Sequence, residues 1–127
     1  MPKTAIVTTD APSPVASYSQ AVLKGNILQV AGQGPADPET GQFAGTTVTA
    51  QTRQVLRNIQ AILEAAGADF DDVMMMRVYL TDTSHFAEMN EVYSTFVKAP
   101  FPARTTVFVT LPPGMLVEID ALAVLGD

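Results

Sequence analysis

The chain is 127 residues long, 47% hydrophobic, without cysteine, and carries a formal charge of −6. That length suits one domain spanning 1–127, and that apolar content suits a core that needs no disulfides. The absence of cysteine excludes thiol nucleophiles and thiolate metal sites, and the seven scattered Lys and Arg residues form no cluster to meet phosphates, which argues against nucleic acid as a partner.

The N-terminus, Met-Pro-Lys-Thr-Ala-Ile-Val, lacks the long apolar stretch of a secretory signal. No run of about 18 apolar residues occurs, so no membrane is expected and a cytoplasmic location is. Residues 8–17 read as a Pro- and Ser-rich loop. Tyr18–Leu23 and Ile27–Ala31 then read as two strands joined by Lys24-Gly25-Asn26. Gly32–Gly45 reads as an ordered loop with a short strand near Gln42-Phe43.

A first long helix is expected from Thr46 or Thr47, either of which can cap it. Val55, Leu56, Ile59, Ile62, Leu63 and Ala66 recur at helical spacing, and Gly67 ends it. Gln51, Arg53, Gln54, Arg57 and Glu64 are assigned to its other faces. Val73–Leu80 reads as a strand covered on both sides, with Met74, Met76, Val78 and Leu80 on one face and Val73, Met75, Arg77 and Tyr79 on the other. Thr81–Ser84 supply caps for a second helix whose stripe is Phe86, Met89, Tyr93, Phe96 and Val97, ended by Pro100 and Pro102. Strands at Ala103–Val109 and Leu116–Leu125 complete the order β-β-α-β-α-β-β. This is an α+β fold with two helices on one face of a mixed sheet, and the other face is left for a second subunit to cover.

The chemistry-bearing residues are few. His85 is the one histidine and reads as a surface residue at a helix cap; no metal site and no Ser-His pair can be assembled from it. Gly32-Gln33-Gly34-Pro35 lacks the spacing and lysine of a phosphate loop. Lys3, Lys24 and Lys98 sit in terminal or turn contexts that do not depress a lysine pKa. Arg104 stands out: it lies in Phe-Pro-Ala-Arg-Thr-Thr-Val-Phe-Val, on one strand face with Thr106 and Phe108. A guanidinium in a strand is costly to desolvate unless paired, and its planar fork fits a carboxylate. Two readings stand side by side, a substrate anchor and a structural salt bridge to an acid such as Glu118. Glu118 shares a face with Asp120, and an acid there can orient water or pass a proton. Tyr18 shares a strand face with Gln20 and either walls a pocket or packs, Asn90 is a polar helix position, and Arg77 is a second strand arginine in search of an acid.

Taken together, these segments resemble the RidA/YjgF family of reactive intermediate deaminases from Ala11-Pro12 to Val124. The resemblance is carried by Tyr18-Ser19-Gln20-Ala21, Gly32-Gln33 with Pro35, Pro38-Glu39-Thr40-Gly41 and Gln51-Thr52-Arg53-Gln54-Val55-Leu56. It continues through Leu63-Glu64-Ala65-Ala66-Gly67, Phe86-Ala87-Glu88-Met89-Asn90-Glu91-Val92-Tyr93, Phe101-Pro102-Ala103-Arg104 and Val117-Glu118-Ile119. It implies a chorismate-mutase-like homotrimer with a central barrel and active sites between subunits. The implied activity is hydrolysis of 2-imino acids to 2-keto acids and ammonia, with no cofactor or metal. In that scheme Arg104 grips the substrate carboxylate and Glu118 orients water. Gly32 and the backbone near Thr106 contact the imino group, Tyr18 walls the side-chain pocket, and Asn90 supports the cleft. Two alternatives stand beside it: a non-catalytic trimeric binder of small carboxylates with Arg104 as anchor, and an endoribonuclease or translation inhibitor, which the resemblance implies through some relatives.

This chain departs from the family pattern in the pocket wall. Ala16-Ser17 replaces the usual Gly-Pro before the tyrosine, Ala31 replaces serine, Gly34 stands at a normally apolar position, and Thr105-Thr106 follows the arginine. Ala31 and Gly34 remove bulk, so the resemblance implies room for larger side chains.

Overall fold

The computed structural model describes residues 2–126. Its elements are β1 (Thr4–Ile6), β2 (Ala21–Lys24), β3 (Ile27–Gln33), α1 (Val48–Ala65), β4 (Val73–Leu80), α2 (Phe86–Tyr93), β5 (Ala103–Phe108) and β6 (Val117–Val124), with short 3-10 turns at Phe70–Asp72 and Thr83–His85. The strands form one mixed sheet in the order β1-β2-β3-β6-β4-β5, parallel only between β4 and β5. The expected α+β architecture is present, preceded by the additional strand β1. Among the described residues no helix is long and apolar enough to cross a membrane.

Helix α1 is bounded by the residues that the chemistry of helix ends favours. The Thr47 side chain accepts a hydrogen bond from the Ala50 N–H. At the other end Gly67 adopts φ +77°, its N–H donates to the Glu64 carbonyl, and the Ala68 N–H donates to the Leu63 carbonyl. This doubled closure is open to glycine at little steric cost. The buried stripe of α1 contains Val55, Leu56, Ile59, Ile62 and Leu63, and also Gln51, Thr52 and Asn58. Gln51 therefore belongs to the core-facing side, against the assignment to an outer face. Helix α2 is shorter than expected. The Ser94 hydroxyl donates to the Asn90 carbonyl and the Thr95 hydroxyl to the Val92 carbonyl, so the final turns satisfy themselves well before Pro100.

The core lies between the helices and one sheet face, where Leu28 and Val30 of β3, Met76, Val78 and Leu80 of β4, and Val117, Ile119, Ala121 and Ala123 of β6 are buried. Pairing skips from Val73↔Ala123 to Met75↔Leu122, a bulge at Met74. The bulge reverses the alternation before Met75, so Val73 joins the core while Met74 is 59% exposed. The uniform alternation expected along this strand fails there. The opposite face, carrying Arg77, Tyr79, Glu118 and Asp120, has no helix over it, and the expected second cover is absent within one chain. Tyr18 lies outside β2, which begins at Ala21; Gln20 is buried while Tyr18 is 49% exposed. The pair near Gln42-Phe43 amounts to a single bridge, Ala36↔Phe43.

Three buried amides fasten the loops to this frame. Gln51 donates to the Gly45 and Gly114 carbonyls and accepts from the Leu116 N–H. Asn58 donates to the Gly34 and Ala36 carbonyls. Gln20 donates to the carbonyls of Thr8, Ala11 and Pro12 and accepts from the Thr8 N–H. Buried polar groups left without partners cost about 1–3 kcal/mol each. Gln51→Ala is therefore expected to destabilise the fold by about 2–3 kcal/mol, read as a lower urea midpoint at unchanged slope.

Candidate active site: two half-sites on opposite sheet faces

Alternation along β5 and β6 decides where the two principal side chains go. Directly paired residues of neighbouring strands share a sheet face. Arg104 pairs with Met76, and Thr106 with Val78, so both face the helices. Glu118 pairs with Tyr79, and Asp120 with Arg77, so both face away. Arg104 and Glu118 of one chain stand on opposite sides of the sheet. A salt bridge between them, one of the two readings open from the sequence, is absent.

The Arg104 half-site lies under α2. The guanidinium donates to the Asn90 side-chain carbonyl at 2.7 Å and sits over two aromatic rings, 4.7 Å from the Tyr93 centroid and 5.3 Å from that of Phe86. Such stacking holds a cation without neutralising it. Among the described residues no acid makes an ion pair with Arg104. A cavity of about 370 Å³ adjoins it, lined by Asn90, Tyr93, Ser94, Phe101 and Arg104 among others. Phe86, expected in the buried stripe, is partly exposed and serves instead as a platform for Arg104. The Tyr93 hydroxyl is buried without a hydrogen-bond partner, and burial pushes its pKa up against the opposing pull of Arg104.

The rival arginine is already paired. Arg77 Nε donates to Asp120 at 2.9 Å, and the Tyr79 hydroxyl donates to the other oxygen of that carboxylate at 2.9 Å. His85 is half-buried in the short turn capped by Asp82, next in the chain to Phe86.

The Glu118 half-site lies on the far face. Burial, and secondarily the neighbouring Asp120, push the Glu118 carboxyl above the ordinary glutamate range. Gly32 lies against it: a Cβ at that position would collide with the Glu118 carboxylate. Gly32 also borders a second cavity of about 180 Å³, walled by Tyr18, Gly34, Phe43 and Met115. Thus Tyr18, Gly32 and Glu118 are associated on one side, and Asn90, Arg104 and Thr106 on the other.

Several residues of these half-sites were not singled out from the sequence. Tyr93 and Phe86 were read as core, although their spacing from Asn90 places all three on neighbouring turns of one helix. Gln51 and Asn58 are seven residues apart and interrupt an apolar stripe, which is the signal that marks them. Phe43 and Met115 lie in loops, where spacing carries no such signal.

Comparison with known proteins places this geometry among relatives. The family model described as Endoribonuclease L-PSP matches residues 8–125. A RutC family protein of Pyrococcus horikoshii is 50% identical over 122 residues, covering 95% of this chain and 97% of that protein. The human 2-iminobutanoate/2-iminopropanoate deaminase is 40% identical over 122 residues, covering 95% and 89%. The crystal structure of Escherichia coli TdcF with bound serine superposes with a TM-score of 0.92 at 38% identity, covering 97% and 99%.

The perturbed carboxyl is directly measurable. In a carbon-detected NMR titration, Glu118 is expected to titrate above the ordinary glutamate value. Asp120→Asn should lower that midpoint only part of the way, because burial is the larger cause.

Proposed function

Because the chain belongs to the Endoribonuclease L-PSP family, that of the YjgF/RidA and RutC proteins, we propose that it hydrolyses reactive 2-imino acids to 2-keto acids and ammonia, in sites assembled between subunits of a homotrimer. The observation that carries this reading is an arginine without an acidic partner, held by Asn90 and two aromatic rings at the edge of a cavity. A fixed, uncompensated guanidinium is an anchor for a small carboxylate. The relative crystallised with serine carries an amino-acid carboxylate, and three mammalian relatives are named as 2-iminobutanoate/2-iminopropanoate deaminases.

The reaction asks little of the protein beyond placement. The imino carbon is already electrophilic, so holding the substrate and one water in register supplies most of what is needed. Arg104 clamps the carboxylate. As water adds to the carbon of the protonated imine, Glu118, ionised, takes one water proton and passes it to the nitrogen of the resulting carbinolamine; as the carbon–nitrogen bond breaks, the carboxylate takes the hydroxyl proton, so that the keto acid forms, ammonia leaves and the proton follows it to solvent. A carboxyl whose pKa is raised toward neutrality suits both halves of that transfer. Gly32 leaves the carboxylate uncovered, and Tyr18 closes the end where the substrate side chain lies. The backbone near Thr106 receives the imino group.

Arg104 and Glu118 point to opposite faces of their own sheet, so a site using both draws them from two copies of the chain. The exposed apolar residues Ile27, Met74, Val107 and Val124 are suited to such an assembly. The carboxylate-binder alternative keeps the Arg104 half-site and leaves Glu118 idle. The endoribonuclease alternative is opposed by the acidic charge and the lack of a basic patch.

Imines produced by an amino-acid oxidase and competed for by semicarbazide provide the assay. Arg104→Ala and Glu118→Ala are each expected to lower kcat/KM by about 100-fold or more. Mixed and reassembled, the two inactive variants should recover about one quarter of wild-type activity, since random association in a cyclic trimer leaves that share of two-subunit sites intact. No recovery from mixed trimers would place both residues in one subunit's site. No turnover of any imine, with 2-keto acid binding lost in Arg104→Ala and kept in Glu118→Ala, would favour the carboxylate binder. For the wild type, kcat/KM should rise with pH through the elevated Glu118 pKa, and Glu118→Gln should lose that limb.

A further inference from the structure

The 180 Å³ cavity beside Gly32 has an apolar wall and no charged residue among those lining it. Its two amides are already engaged, Gln20 by the Thr8, Ala11 and Pro12 backbone and Gln33 by the Ala31 carbonyl. The cavity borders Gly32, which lies against Glu118, and so adjoins the place the proposed reaction gives to the reacting carbon.

One contact sets the depth of the cavity. Gly34 has no side chain, and a Cβ there would lie 2.7 Å from the Met115 Cε and 3.4 Å from its Sδ. The Met115 thioether therefore fills the volume that a side chain at position 34 would take. The room implied by Gly34 in the sequence is occupied from the opposite wall.

Both backbones at this contact are held from α1. Gln51 binds the Gly114 carbonyl and the Leu116 N–H, on either side of Met115. Asn58 binds the carbonyls of Gly34 and Ala36. With the backbones clamped, the adjustable part is the Met115 side chain, which is unbranched and has three rotatable bonds. It rests against a glycine that has no side chain to lock it.

We infer that Met115, seated on Gly34, is the residue that sets how large a substrate side chain this site takes. The inference rests on the imine-hydrolysing reading for its chemistry. The preference itself belongs to the cavity, and ligand binding reads it independently of turnover.

The test compares imines generated from alanine, leucine and phenylalanine in the semicarbazide competition assay, beside calorimetric binding of the matching 2-keto acids. Met115→Ala should raise the kcat/KM ratio of the phenylalanine-derived imine over the alanine-derived imine by about tenfold, the scale on which one pocket wall discriminates apolar groups. Adding Gly34→Ile to Met115→Ala moves the bulk back across the cavity and should return the ratio to within about threefold of wild type. Should Met115→Ala fail to fold, Met115→Val reads the same ratio. A folded Met115 variant whose ratio stays within about twofold of wild type overturns the inference. If the wild type turns over no imine yet the 2-keto acid affinities follow the predicted shift, the catalytic reading falls and the role of Met115 stands. If it neither hydrolyses the imines nor binds the keto acids, both fall.

Discussion

The pleat of the sheet is the constraint on which the rest depends. Side chains alternate strictly along a strand, and paired residues on neighbouring strands share a face. Met76 ties Arg104 to the helix side, and Tyr79 ties Glu118 to the other. No rotamer carries a side chain through a hydrogen-bonded sheet. Whatever chemistry needs both groups must recruit them from different molecules, and the uncovered face with its exposed apolar residues gives those molecules a place to meet. The opposite facing of Arg104 and Glu118 thus follows from one register.

The two strand arginines show how the same residue type takes opposite roles through its neighbours. Arg77 stands opposite Asp120, whose second oxygen is held by Tyr79, so its charge is met within the chain. Arg104 lies one strand further out, where the helix side offers Asn90 and aromatic faces and no acid among the described residues pairs with it. An amide oxygen and π-faces orient a guanidinium while leaving its charge available to an incoming anion. Arg104 is in this sense a prepared clamp. In the proposed reaction the proton transfers need a carboxyl with a raised pKa, and Glu118 is one that burial moves in that direction.

Much of this was legible in the residues. The period of α1, its threonine cap and its glycine stop are each local signals, and the structure follows them. The alternation that puts Arg104 with Thr106, and Glu118 with Asp120, is equally local, and it survives because neither strand is bulged there. What was not legible depended on distant partners. Strand β1 has three residues, mostly exposed, and exists only through pairing with β2. The Met74 bulge arises from matching β4 to β6, which no single-strand pattern reveals. Tyr18 has strand-like neighbours but sits in a loop whose shape is set by Gln20. Most consequentially, the two faces of the site could be named residue by residue while their opposition stayed hidden, because relative facing requires the strand register.

Helix α1 connects stability to the site in a way its apolar periodicity conceals. An all-apolar stripe would pack against the sheet equally well, yet it would leave the carbonyls of Gly34, Ala36, Gly45 and Gly114 without their donors. Those loops carry no regular ladder of their own, so amide side chains from a rigid helix are what define them. Gln51 and Asn58 lie two turns apart and reach opposite walls of the same cavity, so the spacing between those walls is the spacing of residues on a helix. A substitution at either amide disturbs folding and pocket together. A substitution at Met115 alters only what fills the gap between walls already fixed. In this architecture the backbone of the pocket is bound to the core, and its selectivity is left to one flexible side chain that the core does not hold.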